Sequence, residues 1–204
     1  MRGAGVRVLV VGAGIAGLAA ARTLRGWGAR VEIVERAAAP STDGTGIYLP
    51  GNAVRALDAL GLAAEVARHA VHIHRQLVAD HRARPLLDIE TAGLWDGVGA
   101  CLAMHRSTLH RVLLAGAEDV PVRWGETTRA ITIDDDGVRV QFGGGTVDRY
   151  DLVLGADGVH STVRPLTFDA PPPRPVGQYA AALSSPGPIR SRCGRCSSGR
   201  IRRS

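Results

Sequence analysis

Six residues near the start of the chain, Gly12-Ala13-Gly14-Ile15-Ala16-Gly17, limit what it can fold into more than any other feature. Before them, residues 6–11 form a run rich in valine and apolar but for Arg7, which predicts a strand buried on both faces of a parallel sheet. After them, apolar residues recur at helical spacing over 15–27, Arg22 and Arg25 fall on one side, and Gly26 and Gly28 supply stop signals. A short strand over 31–34 completes the order strand, glycine turn, helix, strand, a βαβ unit. In such a unit the first glycine permits the tight turn, the second lets the backbone approach a pyrophosphate, and the third lets the helix pack closely on the strand. The helix start adds free N–H groups and a partial positive charge. Glu35 closes the second strand, where a carboxylate can accept hydrogen bonds from both hydroxyls of an adenosine ribose and disfavours a 2′-phosphate. Gly12, Ala13, Gly14, Gly17 and Glu35 are therefore candidate dinucleotide-binding residues. The pattern does not choose between NAD and FAD.

Composition narrows the rest. A chain of 204 residues, 45% hydrophobic, has room for one core and is not globally disordered. The net charge of +6 invites a nucleic-acid reading, but the last sixteen residues hold six arginines and no acid, so the remainder is formally neutral. That tail lacks the aromatics and apolar periodicity that RNA or a membrane surface would call for, and neither is expected as a partner. Three cysteines are too few for a disulfide framework, which points to a cytoplasmic protein. The apolar run 8–21 follows Met1, Arg2 and Arg7 as a signal peptide would, yet it is glycine-interrupted and too short to span a bilayer.

Further along, 37–46 is expected to be loop, 53–60 and 62–69 short helices around Gly61, and 71–80 with 85–90 an extended pair. Residues 106–117 predict an amphipathic helix. Strands over 127–133 and 138–142 should flank an Asp-rich turn at 134–137, and a buried strand is expected at 151–154. This last strand runs into Asp157-Gly158-Val159-His160-Ser161-Thr162-Val163-Arg164 and puts Asp157 at its carboxyl end, where ligands of open α/β sheets bind. On local grounds Asp157 serves equally well as a cap for a following helix. His72 and His74 alternate on an extended segment, but no third ligand has suitable spacing, so no metal site is expected. Cys193 and Cys196 lack a second pair and are read as incidental.

Taken together, these segments resemble the class A flavoprotein monooxygenases, the para-hydroxybenzoate hydroxylase family. The resemblance rests on Gly12, Gly14, Gly17 and Glu35, on Asp157, Gly158, Ser161 and Arg164, on the stretch from Gly46 to Leu62, and on His105-Arg106 opening the helix that follows. It implies an α/β, Rossmann-type FAD-binding fold over residues 1–168, with 71–100 an excursion toward the substrate side. Residues 169–204 would hold the start of a substrate domain and then a disordered, Arg-rich tail. The resemblance further implies FAD as cofactor, NAD(P)H as reductant in an active enzyme, and a small aromatic substrate. Glu35 would bind the adenosine ribose, Arg36 would lie beside the adenine, and Arg106 would reach the flavin side. Asp157 would help hold the pyrophosphate, and Gly158 and Arg164 would serve FAD and the nicotinamide donor. As a helix-start residue, Arg106 also has the plainer reading of a solvated side chain. Thr128 stands where the family usually has a small apolar residue near the adenine. The family's later substrate-binding sheet and Gly-Asp motif are not in this sequence, and 177–179 would be the first strand of that sheet. The chain is therefore read as a truncated or frameshifted relative, with a non-catalytic FAD-binding fragment or a partner-dependent module as the alternative. Oligomeric state and catalytic residues are not legible.

Overall fold

The protein is described here by a computed structural model that covers residues 5–40, 44–169 and 171–177. Its contacts divide the chain into two units, one built from residues up to Gly44 and from Ser107 onward, the other from Thr45–Arg106. The first unit opens with β1 (Arg7–Val11), α1 (Ile15–Gly26) and β2 (Arg30–Glu35). The second contains β3 (Gly46–Leu49), α2 (Gly51–Ala59), α3 (Ala63–His69), β4 (Val71–His72), β5 (Arg75–Ala79), β6 (Pro85–Glu90), α4 (Thr91–Leu94) and β7 (Leu102–His105). From α5 (Arg106–Ala115) the chain returns to the first unit with β8 (Val122–Trp124), β9 (Thr128–Asp134), β10 (Gly137–Phe142), β11 (Val147–Tyr150), β12 (Leu152–Gly155) and α6 (Val163–Thr167).

Four strands of the first unit form a parallel sheet in the order β12-β1-β2-β8. Its central strand is the apolar run read from the sequence, with Val8, Leu9, Val10 and Val11 all buried, as parallel strands covered on both faces require. The helix α1 buries Gly17, Leu18 and Ala21. β9, β10 and β11 make an antiparallel meander around the expected turn, where Gly137 takes a positive φ of 123°. Leu9, Val11 and Val34 of the parallel sheet share one core with Val140, Phe142 and Tyr150 of the meander and Val163 of α6. Above this core, Tyr150 donates to Glu32 at 2.8 Å and the Arg123 guanidinium pairs with the same carboxylate at 2.7 Å, which also fixes the meander on the sheet.

In the second unit β3, β7 and β4 form one small antiparallel sheet and β5 and β6 a hairpin. Two expectations are corrected here. Residues 37–46 are not loop throughout, because Gly46 already begins β3, which pairs with β7. The extended segment 71–80 is also broken, with β4 on β7 and β5 on β6. The break falls at Ile73 and His74, whose backbone groups are taken by Cys101 and Thr91 instead of a neighbouring strand. The rings of His72 and His74 stack at 5.9 Å, and among the described residues no three metal-ligating side chains gather. Among the same residues no helix is long and apolar enough to cross a membrane. The expected strand at 177–179 extends beyond the described residues, and Cys193, Cys196 and the arginine-rich tail lie outside them.

Candidate functional site

Parallel strands that start together also end together, and β1, β2 and β12 deliver three loops to the same carboxyl edge. The N–H of Gly12 donates to the Val34 carbonyl and that of Ala156 to the Val11 carbonyl, both at 2.8 Å, which locks these loops to one another. Gly12 has φ 107°, and a Cβ on it would lie 2.6 Å from the Ala156 carbonyl oxygen. A Cβ on Gly17 would collide with the Gly12 carbonyl. The chain itself demands glycine at both positions. Gly14 differs, because its φ of −75° suits any residue and a Cβ there would meet nothing within 4 Å. Beside this open space, α1 begins with no side-chain cap and no acidic residue in its first turn, so its unpaired N–H groups and partial positive charge remain unanswered. A cradle kept clear at a bare helix start fits a diphosphate, the group the sequence pattern called for.

Glu35, at the end of β2, accepts from the N–H of Ala13 at 2.9 Å and from that of Ala37 at 2.8 Å, one bond to each oxygen. Each oxygen keeps a further lone pair for a sugar hydroxyl. Glu35, Arg36, Gly12 and Asp157 line one small cleft at the sheet edge. Glu126, Thr127, His160 and Thr162 complete its wall, and none of these four was singled out from the sequence as a site residue. Thr127 and Thr128 are adjacent, yet the structure buries Thr128, 3.2 Å from the Thr162 hydroxyl, and leaves Thr127 at the cleft.

Asp157 follows the carboxyl end of β12 and serves the start of the next helix. Its carboxylate accepts from the Thr162 N–H at 2.6 Å, the Thr162 hydroxyl at 3.1 Å and the Val163 N–H at 3.1 Å, and so caps α6 while it faces the cleft. Burial pushes its pKa up, but hydrogen bonds from the Ser161 hydroxyl and the Val163 and Thr162 amides outweigh this and hold it below the ordinary aspartate value. Glu126 is held below its usual range chiefly by the Thr127 N–H, against the opposing effect of burial. The cleft thus holds three carboxylates, which can accept from hydroxyls and amines, with Arg36 and His160 beside them.

Gly158, with φ 78°, turns the loop after Asp157. The Arg164 guanidinium donates to the Gly158 and Val159 carbonyls at 3.3 Å each, so this side chain braces the loop. Both residues border a second, wider groove with Leu152, Val153 and Leu154 along β12, the edge strand of the sheet among the described residues. Arg106 opens α5 as expected, is exposed, and donates its N–H to the Thr45 carbonyl at 3.0 Å. It ends the second unit and is not among the residues that line the cleft. One contact had no sequence signal at all. His110, on α5, places Nε2 2.7 Å from the Ala13 carbonyl oxygen inside the glycine turn.

Comparison with known proteins gives the family. Residues 5–171 match the family described as FAD binding domain. The chain is 38% identical over 172 residues to 3-amino-4-hydroxybenzoate 2-monooxygenase of Streptomyces cremeus, covering 81% of this chain and 43% of that protein. It is 30% identical over 188 residues to 6-hydroxynicotinate 3-monooxygenase of Bordetella bronchiseptica, covering 91% and 49%. Among solved structures, 2-methyl-3-hydroxypyridine-5-carboxylic acid oxygenase superposes with a TM-score of 0.66 at 31% identity over 78% of this chain and 41% of that one. PqsL of P. aeruginosa, in complex with 2-aminobenzoylacetate, gives 0.72 at 29% identity over 83% and 48%. The chain thus spans less than half the length of each of these relatives. With its glycine turn, its acidic strand end and its Asp-Gly loop on one sheet edge, the chain belongs to the FAD binding domain family, in the para-hydroxybenzoate hydroxylase-like fold of the flavin-dependent aromatic monooxygenases.

Proposed function

We propose that residues 1–168 hold FAD for a monooxygenase that uses NAD(P)H and oxygen to hydroxylate a small aromatic compound. Gly12, Ala13, Gly14 and Gly17 shape the diphosphate cradle, Glu35 accepts from the ribose hydroxyls, and Arg36 lies beside the adenine. Asp157, Gly158 and Arg164 form the loop that closes the cradle from β12, and Arg106 reaches the flavin side. Bound FAD supplies the redox chemistry, and the chain's own part is to bind, orient and shield it. The substrate class follows the relatives, which are monooxygenases of 3-amino-4-hydroxybenzoate and 6-hydroxynicotinate.

The observation that carries this reading is the meeting of Gly12, Glu35 and Asp157, 145 positions apart at the extremes, on one cleft beside an uncapped helix start with space kept open at Gly14. It is tested by the absorbance spectrum of the purified chain with added FAD and by NAD(P)H-dependent oxygen uptake with 3-amino-4-hydroxybenzoate and 6-hydroxynicotinate. Bound flavin together with substrate-stimulated uptake supports the proposal. Bound flavin without uptake removes the monooxygenase part for this chain, and no bound flavin removes the whole of it.

A further inference from the structure

His110 lies on α5 with no place in the FAD assignment, yet it touches the one loop on which that assignment depends. Its Nε2 is 2.7 Å from the carbonyl oxygen of Ala13, and its Nδ1 is buried with no partner among the described residues. Together these contacts select a tautomer. A proton on Nδ1 would be buried without an acceptor and would leave the Nε2 lone pair facing a carbonyl oxygen, so the proton sits on Nε2 and is donated to Ala13.

A trans peptide is planar, with its C=O and N–H on opposite sides. The Ala13 carbonyl belongs to the same peptide plane as the Gly14 N–H, and the described residues contain no cis peptide. Fixing that carbonyl therefore aims the Gly14 N–H the other way. The preceding peptide is fixed as well, because the Ala13 N–H donates to Glu35 at 2.9 Å. Both planes that flank Ala13 are thus held from outside, one by Glu35 and one by His110. Gly14 is the residue next to the open cradle, and its N–H is one of the four that a helix start leaves unpaired.

We infer that His110 is a positioning residue for the diphosphate of the cofactor: by holding the Ala13 carbonyl it keeps the Gly14 N–H turned toward the phosphate oxygens before the ligand arrives. The inference rests on the FAD assignment proposed above. Without the imidazole donor, the Ala13–Gly14 peptide is free to rotate, and the ligand must order it on binding. The effect should follow the diphosphate and spare groups that lack it.

The test uses the full chain, with FAD and ADP titrated by calorimetry and adenosine followed by NMR at millimolar concentration. His110→Leu should weaken ADP and FAD by roughly tenfold, the scale of one hydrogen bond, and leave adenosine within about twofold of wild type. His110→Gln, whose amide nitrogen reaches the place of Nε2, should recover most of the loss, whereas His110→Asn falls short of the carbonyl and should not. If His110→Leu does not fold, the contrast between Gln and Asn gives the same reading. Equal weakening of ADP and adenosine, or ADP affinity unchanged in Leu and Asn variants of a wild type that binds it, overturns this inference alone. A wild-type chain that binds neither FAD nor ADP overturns the FAD assignment and this inference with it.

Discussion

Three glycines of one turn do different work, and substitutions can separate them. At Gly17 any side chain strikes the Gly12 carbonyl, so Gly17→Ala should lower the thermal midpoint of the ligand-free chain by several degrees, as expected when overpacking costs about 1–3 kcal/mol. At Gly14 the added methyl enters open space, so Gly14→Ala should unfold within a degree or two of wild type and yet lose FAD affinity. Equal destabilisation by both, read by scanning calorimetry, would show that the space at Gly14 is not kept for a ligand. Glu35 was found from its position after the second strand, and the structure adds why it stays in place, through the amides of Ala13 and Ala37. On the proposed role of Glu35 as a charged acceptor for the ribose, Glu35→Ala should raise the FAD dissociation constant by roughly 10- to 100-fold, the range for hydrogen bonds to a charged group. An unchanged constant in a fluorescence titration would take Glu35 out of the site.

At the scale of elements, Asp157 joins β12 to α6. Removing its cap with Asp157→Ala should cost about 1 kcal/mol, measured by urea unfolding at neutral pH. Because the folded carboxyl titrates below its unfolded value, this contribution is present above the unfolded pKa near 4 and is lost as pH falls through the lower folded value. The gap between wild type and Asp157→Ala should therefore close in acid, and a gap that widens there would contradict the hydrogen bonds assigned to the carboxylate. The elements legible in the sequence were those with their own periodicity. β1, α1 and β2 announce themselves through an apolar run, helical spacing and turn glycines, and β9 with β10 through alternation around an Asp-Gly turn. β3, β7, β8 and β11 escaped because each has only three or four residues and exists through its partner, β3 through β7 more than fifty residues away and β8 through β2. For the same reason the cleft was half legible: Gly12, Glu35 and Asp157 sit at ends of readable strands, whereas Glu126 takes its place in the cleft from tertiary packing, as His110 does beside the glycine turn.

Across the whole molecule, the site depends on how firmly the meander is held against the parallel sheet. Phe142 and Tyr150 are the largest fully buried side chains, and the Arg123 guanidinium lies 4.0 Å over the Phe142 ring. Phe142→Ala should cost roughly 3–5 kcal/mol, a large share of the stability of a domain this size, with FAD restoring part of it because ligand binds the folded state alone. Loss below about 1 kcal/mol in denaturant titration would mean that this core contributes little. The central claim is that the adenosine diphosphate half of a flavin nucleotide lies across the carboxyl edge of the sheet. It is tested most directly by titrating the chain with FAD and FMN, followed by flavin fluorescence, with ADP as competitor. The account predicts one FAD per chain, displaced by ADP, and FMN bound at least roughly a hundredfold more weakly. FMN bound as tightly as FAD, or FAD that ADP does not displace, would contradict it.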